Sequence, residues 1–567
     1  MADAGQSARA DIVVDGSPLD DDLEPLVQQV VVDGNLLLPD TFLIVFNDHD
    51  GDVLSRSHIR IGSKIAIKGT ALDSQEAEAL ISGEVTSLGG EYEAGDSRLV
   101  VRGYDLAHRL QRGRQTATYV NQKDSDIAQA VASRAGLDVG TIDDSGAVHD
   151  WVAQANLSDW EFLTARARAI GFEMTVSDGK FNFRRPTPAS DAPEPGDDNS
   201  TDPLTLVFGQ KLLAFRPRIT AAEQVGSVEF HGWDPASKKA LTGVAQAGTT
   251  SASLSSDPGS LAAIFNSPTY VVADRARSTQ ADVDAGAAVV AEQIGSAFAE
   301  ASGTTRGNPR LKAGVAVSVA AVADPFVGKY TLSQARHVFD EDGYRTEFRV
   351  SGRADRSVLG LAGAGSAGPN SGKPGPINGL VIAIVTSNDD PSQQGRVKLS
   401  FPWLSDSFES SWAPVSQLGA GPNSGAVFLP EVGDEVLVGF GFGDIQQPYV
   451  IGGLYNGVDQ PNLGTGLLDN GKIKRRGLIS RKGHKLIFLD GDDASGIALM
   501  SSDKKIRIAL KESDGELHIV SDGKIVIEST GDMKLTSQGS LELSGSSGVK
   551  IESSAVLELS GQMIKLN

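Results

Sequence analysis

The chain has 567 residues, 40% of them hydrophobic and 64 of them glycine, so we predict three or four domains rich in strands and turns. Its net charge of −22 disfavours nucleic acid as a partner, because a phosphate backbone rewards clustered lysine and arginine. With no cysteine, disulfides and thiolate metal sites are excluded. No segment reaches about 18 uninterrupted apolar residues, and the N-terminus lacks a signal-peptide pattern. We therefore expect synthesis in the cytoplasm without a signal peptide.

The first third of the chain is predicted to be a β-rich block followed by two helices. Residues 1 to about 20 are acidic and aperiodic and predict an arm without regular structure. The two helices have good start and stop residues: Asp124 or Ser125 caps one and Gly136 ends it, while Ser158 and Glu161 form a capping box for the other. The predicted strands are Leu26–Val32, Thr41–Asn47, Ile59–Lys68, Ala79–Leu88, Ser97–Tyr104, Glu173–Val176 and Lys180–Arg184.

Residues 103–119 read GYDLAHRLQRGRQTATY. The run resembles one shared by the VgrG and phage-hub families, in which a short helix follows it. The resemblance implies a two-barrel baseplate hub module over residues 1–361, which trimerises into a ring on the tail tube. The positions that carry the resemblance are Gly103, Tyr104, Asp105, His108, Leu110, Arg112, Thr116 and Tyr119.

The region from 186 to 378 is less patterned. Residues 186–203 and 240–260 are predicted to be surface loops, Val228–Trp233 a strand, and 360–378 a glycine-rich linker. Between Asp282 and Glu300, apolar side chains recur at three-to-four-residue spacing and predict an amphipathic helix. That apolar face comprises Val283, Ala287, Val290, Ile294 and Phe298.

Residues 379–455 contain the most informative pattern of strands and motifs in the chain. Five short strands bounded by glycine, proline, asparagine or aspartate predict an OB-fold barrel, at Leu380–Val385, Arg396–Phe401, Val427–Leu429, Glu435–Phe440 and Pro448–Gly452. Three motifs follow in order: GRV at 395–397, PEVGDEV at 430–436, and a closing run from Gly443 to Asn456. Their order resembles the OB domain of the VgrG family and of contractile phage tail spikes.

The C-terminal segment carries an apolar pair every eight residues between 525 and 559, with glycine, serine, threonine and aspartate between the pairs. One chain of such short strands cannot enclose its apolar face, because each repeat buries only two side chains. The repeat predicts a β-solenoid, and it resembles the trimeric intertwined β-helix of phage spikes and VgrG proteins. The predicted needle core is Ile525, Ile527, Met533, Leu535, Leu541, Leu543, Val549, Ile551, Leu557 and Leu559.

Looser pairs extend this pattern back to Leu486 and Phe488. The fold class is therefore mainly β: a hub module of β-barrels with a few helices, an OB-fold barrel and a C-terminal trimeric β-helix. The predicted domains are the hub-like module at 1–361, a linker at 362–378, the barrel at 379–460, a connector at 461–482 and the needle at 483–567.

Catalysis is not predicted, and neither is a metal or cofactor. The eight histidines have no metal-ligand spacing, and no GxSxG or SxxK motif occurs. Acidic pairs such as Asp389/Asp390 lie in predicted turns, where carboxylates are ordinarily solvated. Only about 25 residues separate the barrel from the repeats, too few for an enzyme domain. His108 is expected to be a hydrogen-bonded or packed residue of its motif.

The resemblance implies the central spike and hub of a contractile injection apparatus, with tail tube and baseplate proteins as partners. The particle is a phage tail, a type VI apparatus or an extracellular phage-like particle, and effector cargo is a further partner that the resemblance allows. A target membrane would be met only on firing. The alternative is a phage fibre or tailspike that binds or degrades cell-surface polysaccharide, but residues 490–567 contain no phenylalanine, tryptophan or tyrosine for sugar stacking.

A docking site is predicted at the C-terminal tip. The strict repeat fails after Leu559, so the last rung would leave an uncovered apolar end. VgrG-like spikes commonly have this end covered by a separate PAAR-like tip protein. The predicted tip residues are Met563, Ile564, Lys565, Leu566 and Asn567.

Overall fold

The structure is a computed structural model, and it divides into two compact units, Met1–Leu454 and Tyr455–Asn567. It is mainly β, as predicted. None of the helices in the described ranges has the length and apolar character needed to span a bilayer. The described residues are 9–71, 76–196, 200–234, 237, 239–273, 277, 279–353, 377, 379–405, 407–464, 467–491 and 494–565. Apart from Ile377, the predicted linker at 362–378 lies outside them.

The N-terminal block forms most of a large antiparallel sheet. Side chains alternate across β4, where Phe42, Ile44 and Phe46 face the core and are at most 2% exposed. The strand predicted at Ile59–Lys68 begins only at Lys64, because residues 61–62 form a turn with Gly62 at φ +91°. The elements are β1 (Asp11–Val14), β2 (Ser17–Pro18), β3 (Val27–Asn35), β4 (Thr41–Asn47), α1 (Val53–Ser57), β5 (Lys64–Thr70), β6 (Ala77–Glu93) and β7 (Asp96–Asp105), with a 3₁₀ turn at Glu24–Leu26.

A helical layer follows, with its own apolar core. The predicted capping box is present, since Ser158 accepts from the Glu161 amide and Glu161 accepts from the Ser158 amide. The first helix buries Ile127 and Val131, whereas Ala130 is exposed. The elements are a 3₁₀ helix at Leu106–Gln111, β8 (Gln115–Lys123), α2 (Asp124–Arg134), β9 (Asp138–Ile142), β10 (Val148–Leu157), α3 (Asp159–Ala169), β11 (Glu173–Ser177) and β12 (Lys180–Arg184).

The next part of the chain completes the large sheet and adds two smaller ones. The predicted amphipathic helix is present, with Val283 and Ala287 fully buried. The elements are β13 (Thr205–Val207), β14 (Leu212–Ile219), β15 (Ser227–Asp234), β16 (Lys239–Gln246), β17 (Ala252–Ser253), α4 (Pro258–Ala263), β18 (Thr269–Val272), α5 (Gln280–Ser296), β19 (Ala299–Arg306), β20 (Ala316–Ala320), β21 (Gly328–Thr331), β22 (Gln334–Asp340) and β23 (Gly343–Val350), with 3₁₀ turns at Ala189–Asp191 and Asp324–Phe326. Strands β14, β19, β23 and β22 extend the N-terminal block into an 11-stranded sheet.

One loop prediction in this part was wrong. Residues 240–260 contain β16, which pairs with β15 along its whole length, and the small side chains of β16 let α5 pack closely. A Cβ on Gly243 would lie 2.4 Å from the Val283 carbonyl oxygen. The described residues of the predicted loop 186–203 form a loop with one 3₁₀ turn, which is held at Ala189: this residue is fully buried and its amide donates to the Thr250 carbonyl.

The barrel has the predicted strands except one. Its sheet runs β25–β24–β28–β29, and an isolated bridge joins Val415 to Val450. The predicted strand Val427–Leu429 is not formed. Val427 is 80% exposed, and the amide and carbonyl groups of Phe428 form hydrogen bonds with the Gln417 side chain and not with a neighbouring strand. The elements are β24 (Val381–Ser387), β25 (Lys398–Ser400), β26 (Ala420–Gly421), β27 (Ser424–Gly425), β28 (Glu435–Phe440) and β29 (Pro448–Gly453), with a 3₁₀ turn at Gly441–Gly443.

The second unit contains an antiparallel sheet followed by a long segment without strands. The looser apolar pairs between 486 and 519, predicted as early needle repeats, lie on neighbouring strands of this sheet. From residue 522 to 565 no strand is formed within the single chain. The elements are β30 (Leu468–Asp469), β31 (Lys472–Ile473), β32 (Arg475–Ile479), β33 (Lys485–Gly491), β34 (Ala494–Met500), β35 (Ile506–Lys511) and β36 (Glu516–Ser521).

Candidate assembly site

The predicted needle core is a row of exposed apolar side chains in the single chain. The ten residues range from 53% to 74% exposed, which is far outside the usual environment of such residues. They are Ile525, Ile527, Met533, Leu535, Leu541, Leu543, Val549, Ile551, Leu557 and Leu559. A monomer therefore leaves the whole repeat in water, which is what a chain that needs partners to bury this face would do.

The predicted tip residues continue the exposed row. Met563 is 75% exposed and Ile564 is 51% exposed. Lys565 is exposed as well, while Leu566 and Asn567 lie outside the described residues. The part of the tip that is described is thus apolar, accessible and flanked by one cation.

The arginine of the GRV motif in the barrel, Arg396, forms an ion pair. Arg396 binds Asp390 through two guanidinium nitrogens, at 3.1 and 2.7 Å. Asp390 also accepts from the amides of Ser392, Gln394 and Arg396, and its side chain is only 3% exposed. The Arg396 guanidinium therefore holds the pKa of Asp390 far below its usual range. The interpretation of Asp390 as a solvated turn residue was wrong: it anchors the whole 390–396 loop.

The PEVGDEV motif makes the tight turn that leads into β28. Gly433 has φ +93°, a conformation that other residues rarely adopt, and the Asp434 carboxylate accepts from the Glu431 amide at 2.8 Å. In the closing motif, Asp444 accepts from the Gln446 amide at 3.1 Å. Asp434 and Asp444 thus each accept from a backbone amide within their own turn.

The GYD…H motif joins the large sheet to the helical layer. Asp105 caps the 3₁₀ helix through the Ala107 amide, and His108 Nε2 lies 3.0 Å from the Glu84 carboxylate. Arg109 binds the same carboxylate, and its hydrogen bonds lower the pKa of Glu84. Gly103 is required by close approach, because a Cβ there would lie 2.1 Å from the Glu84 carbonyl oxygen. The expectation that His108 is a hydrogen-bonded motif residue is confirmed.

A second ion-pair network was missed from the sequence. Asp124, whose side chain is 1% exposed, lies 2.9 Å from His149 Nε2 and 2.9 Å from Arg166 Nη2. Burial alone would raise the pKa of Asp124, but the hydrogen bonds from His149 and Arg166 bring it below its ordinary value. The network ties α2, β10 and α3 together. Asp124 was read only as a helix cap, and nothing in the local pattern indicated partners 25 and 42 residues away.

Carboxyl groups also meet at the end of the large sheet. Burial raises the pKa of Asp40 to about 7, and burial raises the pKa of Asp105 well above its usual value. Asp40 accepts from the Asn35 amide at 2.8 Å. Nearby His337 is fully enclosed, and burial lowers its pKa to about 3, so it is neutral. These groups hold strand ends and loops in place.

Among the described residues, no group of three or more histidine, aspartate or glutamate side chains is placed to hold a metal ion. Asp390, Asp124, Glu84 and Asp40 are each held by backbone amides or by an opposite charge.

Parts of this chain are similar to known protein families. Residues 6–341 match the Alg8 N-terminal domain family, and residues 381–455 match the Type VI secretion system/phage-baseplate injector OB domain. The spike protein VgrG1c of Pseudomonas aeruginosa is 32% identical over 138 residues, which cover 23% of this chain and 19% of that protein. The actin cross-linking toxin VgrG1 of Vibrio cholerae is 37% identical over 93 residues, covering 15% of this chain and 8% of the toxin.

The chain thus spans only about a fifth or less of the length of these relatives. The fold is shared more widely. A solved chain of the half-lidded Francisella PdpA-VgrG complex covers 91% of this chain and 88% of its own length, with a TM-score of 0.52 and 11% identity. The Alg8 N-terminal domain model matches more than half of the chain, and the match to the injector OB domain follows it in the sequence. The chain therefore belongs to the Alg8 N-terminal domain family and is a VgrG-like spike protein.

Proposed function

We propose that this protein is the trimeric central spike and hub of a contractile injection apparatus. Its hub would seat on the tail tube among baseplate proteins, and its needle would be driven through a target envelope when the apparatus fires. The role is mechanical and not enzymatic. The spike is made in the bacterial cytoplasm and assembled there into a phage tail-like particle, in some systems one that is released.

The observation that carries the proposal is the exposed apolar row at 525–559. Ten apolar side chains at a strict eight-residue spacing stay more than half exposed in one chain. Removing apolar surface from water contributes roughly 25 cal/mol per Å², so a row of this length strongly favours association. Three chains wound about one axis would bury all three rows together and leave no lateral strand edge.

Mechanical strength follows from the same arrangement. In an intertwined trimer each strand pairs with strands of other chains, so pulling out any one of them breaks ladder hydrogen bonds to its neighbours. The barrel contributes rigid loops, because the 390–396 loop is held by a buried ion pair. Such a rod resists the axial load of penetration.

A separate tip protein completes the spike in this proposal. Met563 and Ile564 are exposed at the end of the repeats, and three copies would form a blunt apolar platform. A small PAAR-like protein would cover that platform, and effector cargo would travel with it or with the spike. Co-expression with a candidate tip protein tests this: a chain ending at Gly561 should lose binding, and equal binding by both chains would refute the platform.

Native mass measurement tests the trimer directly. The chain weighs 59.3 kDa, so the expected assembly is about 178 kDa, three times that mass. A chain ending at Ser521, which keeps the last strand of the antiparallel sheet, should remain folded but lose the trimer. A full-length chain that is folded and monomeric at micromolar concentration would overturn the proposal.

A further inference from the structure

A strongly basic stretch interrupts this acidic chain. Residues 470–489 contain seven lysine or arginine residues and no aspartate or glutamate, whereas the whole chain has 51 basic and 73 acidic residues. The stretch covers β32, the turn after it and most of β33, so it belongs to the five-stranded sheet of the second unit. A concentration of cations at one place in an acidic protein indicates a surface that attracts an anionic partner.

The turn between β32 and β33 and the turn between β34 and β35 lie side by side at one end of this sheet. The Ser502 amide of the second turn donates to His484 Nδ1 of the first at 3.2 Å. A Cβ on Gly483 would lie 3.5 Å from the Ser502 Cβ, which is ordinary van der Waals contact. Because the two turns touch, the cations that they contain form one cluster.

The chain leaves the sheet towards the needle repeats at this same end. Strand β36 ends at Ser521, which pairs with Ile506 beside the second turn. The Asp522 amide then donates to the Lys505 carbonyl at 3.1 Å. We call this region the basic end of the sheet, and its exposed cations are Arg481, Lys482, Lys504, Lys505 and Lys524.

The cations of the basic end are not neutralised within the sheet. At the opposite end of the sheet, salt bridges join Lys474 to Asp469, Arg476 to Asp490 and Lys511 to Glu516. At the basic end, no salt bridge within the described part of the chain involves Lys482, Lys504 or Lys505. The Asp503 carboxylate accepts instead from a hydroxyl and an amide of its own turn, at 2.6 and 3.2 Å. With Asp503 and Asp522 as its acidic residues, the basic end keeps a net positive charge.

Lys504 occupies a backbone position that does not suit a lysine. Its φ is +61°, in the left-handed region where glycine and asparagine are the usual residues. The lysine therefore costs stability that a glycine would not, and it puts a cation at the tip of the turn. Local strain of this kind is typical of positions that serve binding.

The residue types at the basic end distinguish between anionic partners. Four of its five cations are lysines, which are depleted from protein–protein interfaces, whereas arginine and aromatic residues are enriched there. Residues 490–567 contain no phenylalanine, tryptophan or tyrosine on which nucleic-acid bases could stack. A lysine is a point charge on a flexible stem, which suits a fluid layer of mobile phosphate groups. Carboxylates more than about 8 Å away are largely screened at physiological salt, so the net charge of −22 does not prevent such a contact.

We propose that the basic end of the sheet binds the phosphate groups of an anionic phospholipid membrane. The moment of contact rests on the proposed function: the repeats start directly after the basic end, so headgroups would reach it once the needle has passed through the bilayer. The contact would hold the bilayer around the base of the needle. The binding itself is a property of the purified chain and needs no assembled apparatus.

Flotation of the purified full-length protein with lipid vesicles tests the contact. The protein should float with vesicles of phosphatidylcholine that contain about 30% phosphatidylglycerol, at about 50 mM salt. It should not float with pure phosphatidylcholine vesicles, nor with the anionic vesicles at about 500 mM salt, because salt screens the attraction. Flotation that persists at high salt, or that is equal with neutral vesicles, would come from exposed apolar side chains and would overturn the proposal.

A charge-reversed variant locates the contact. Lys482→Glu, Lys504→Glu and Lys505→Glu together should weaken binding to the anionic vesicles about a hundredfold, since each lysine near an anionic surface is worth about fivefold in affinity. Binding that persists in this variant overturns the proposal. A duplex DNA at the same phosphate concentration should bind the natural chain at least tenfold more weakly than the vesicles do, and tighter binding to DNA would overturn the membrane as the partner.

The matched control reverses three exposed lysines of the first unit, Lys68→Glu, Lys180→Glu and Lys239→Glu, and changes the net charge by the same amount. Its binding should stay within twofold of the natural chain, and an equal loss in both variants would show that only the net charge matters. Native mass of the same samples separates this proposal from the spike. A trimer that does not float overturns the membrane contact and leaves the spike standing, whereas a monomer that floats through its lysines overturns the spike and keeps the contact.

Discussion

Replacing Asp390 by alanine should loosen the barrel without touching its apolar core. The change removes a side chain that is 3% exposed and that accepts from two guanidinium nitrogens and three backbone amides. Deleting the carboxylate leaves its donors without an acceptor at a cost of about 1–3 kcal/mol, and not more, because the Arg396 side chain is 26% exposed and can still be hydrated. The barrel should therefore open about 5 to 140 times more often, at about 1.4 kcal/mol for each factor of ten.

Hydrogen exchange followed by mass spectrometry on the full-length protein measures how often each segment opens. Peptides covering β24 and β28 should exchange faster by that factor, while peptides covering β4 and β7 in the hub should not change. The matched control is Asp389→Ala, because Asp389 is the exposed neighbour in the same turn. Its effect should stay within about 0.5 kcal/mol. If both variants exchange alike, the ion pair does not hold the loop.

The same pair sets a pH dependence. Arg396 depresses the pKa of folded Asp390, so the contribution of this carboxylate is complete above its unfolded pKa of about 3.9. That contribution is lost as the pH falls from about 4 towards the folded value. The exchange difference between Asp390→Ala and the natural chain should therefore be full at pH 6 and shrink below pH 4. A difference that does not shrink in acid would show that the carboxylate charge plays no part.

Three further predictions concern the needle, the hub motif and a buried carboxyl. Leu541→Asp should abolish the trimer on native mass measurement, because three carboxylates around one axis each cost several kcal/mol to desolvate. Glu542→Lys, on the opposite face of the proposed strand, should leave the trimer intact, and equal behaviour of the two variants would refute the assignment of Leu541 to the inward face. Gly103→Ala should lower the melting temperature, because its Cβ would lie 2.1 Å from a carbonyl oxygen, while Gly89→Ala, with no neighbour nearer than 3.9 Å, should be silent. Burial raises the pKa of Asp40 to about 7, so Asp40→Asn should raise the melting temperature by a few degrees at pH 8 and not at pH 4. A higher melting temperature at both pH values would show that the charge of buried Asp40 is not the cause.

Features that depend on a few neighbouring residues were predictable from the sequence. The Ser158–Glu161 capping box and the short strands Glu173–Val176 and Lys180–Arg184 need only nearby residues with the right chemistry, and all are present. The eight-residue period likewise identified the row of residues from 525 to 559 that the single chain leaves exposed. The order of the barrel motifs indicated the domain that the OB family match then gave.

Features that depend on distant partners were not predictable. Asp124 looked like a helix cap, yet its role is set by Arg166, which is 42 residues away. The segment 240–246 looked like a loop because it is small and weakly apolar, but smallness is what lets α5 approach β16. Asp390 is only six residues from Arg396, but its burial comes from the barrel that closes around the loop. Composition and residue spacing do not indicate which distant residues come into contact in the folded chain.

The exposed row of residues 525–559 has a consequence for how the spike is made. The hub and the barrel precede it in the chain and have apolar cores of their own, so they can fold while the ribosome is still working. The repeats emerge after them, and in the proposed trimer they pair only when other chains arrive. Their folding rate must then rise steeply with chain concentration, which ties spike production to the level of synthesis. Polysomes, which hold several nascent copies close together, would be the natural place for three needles to meet.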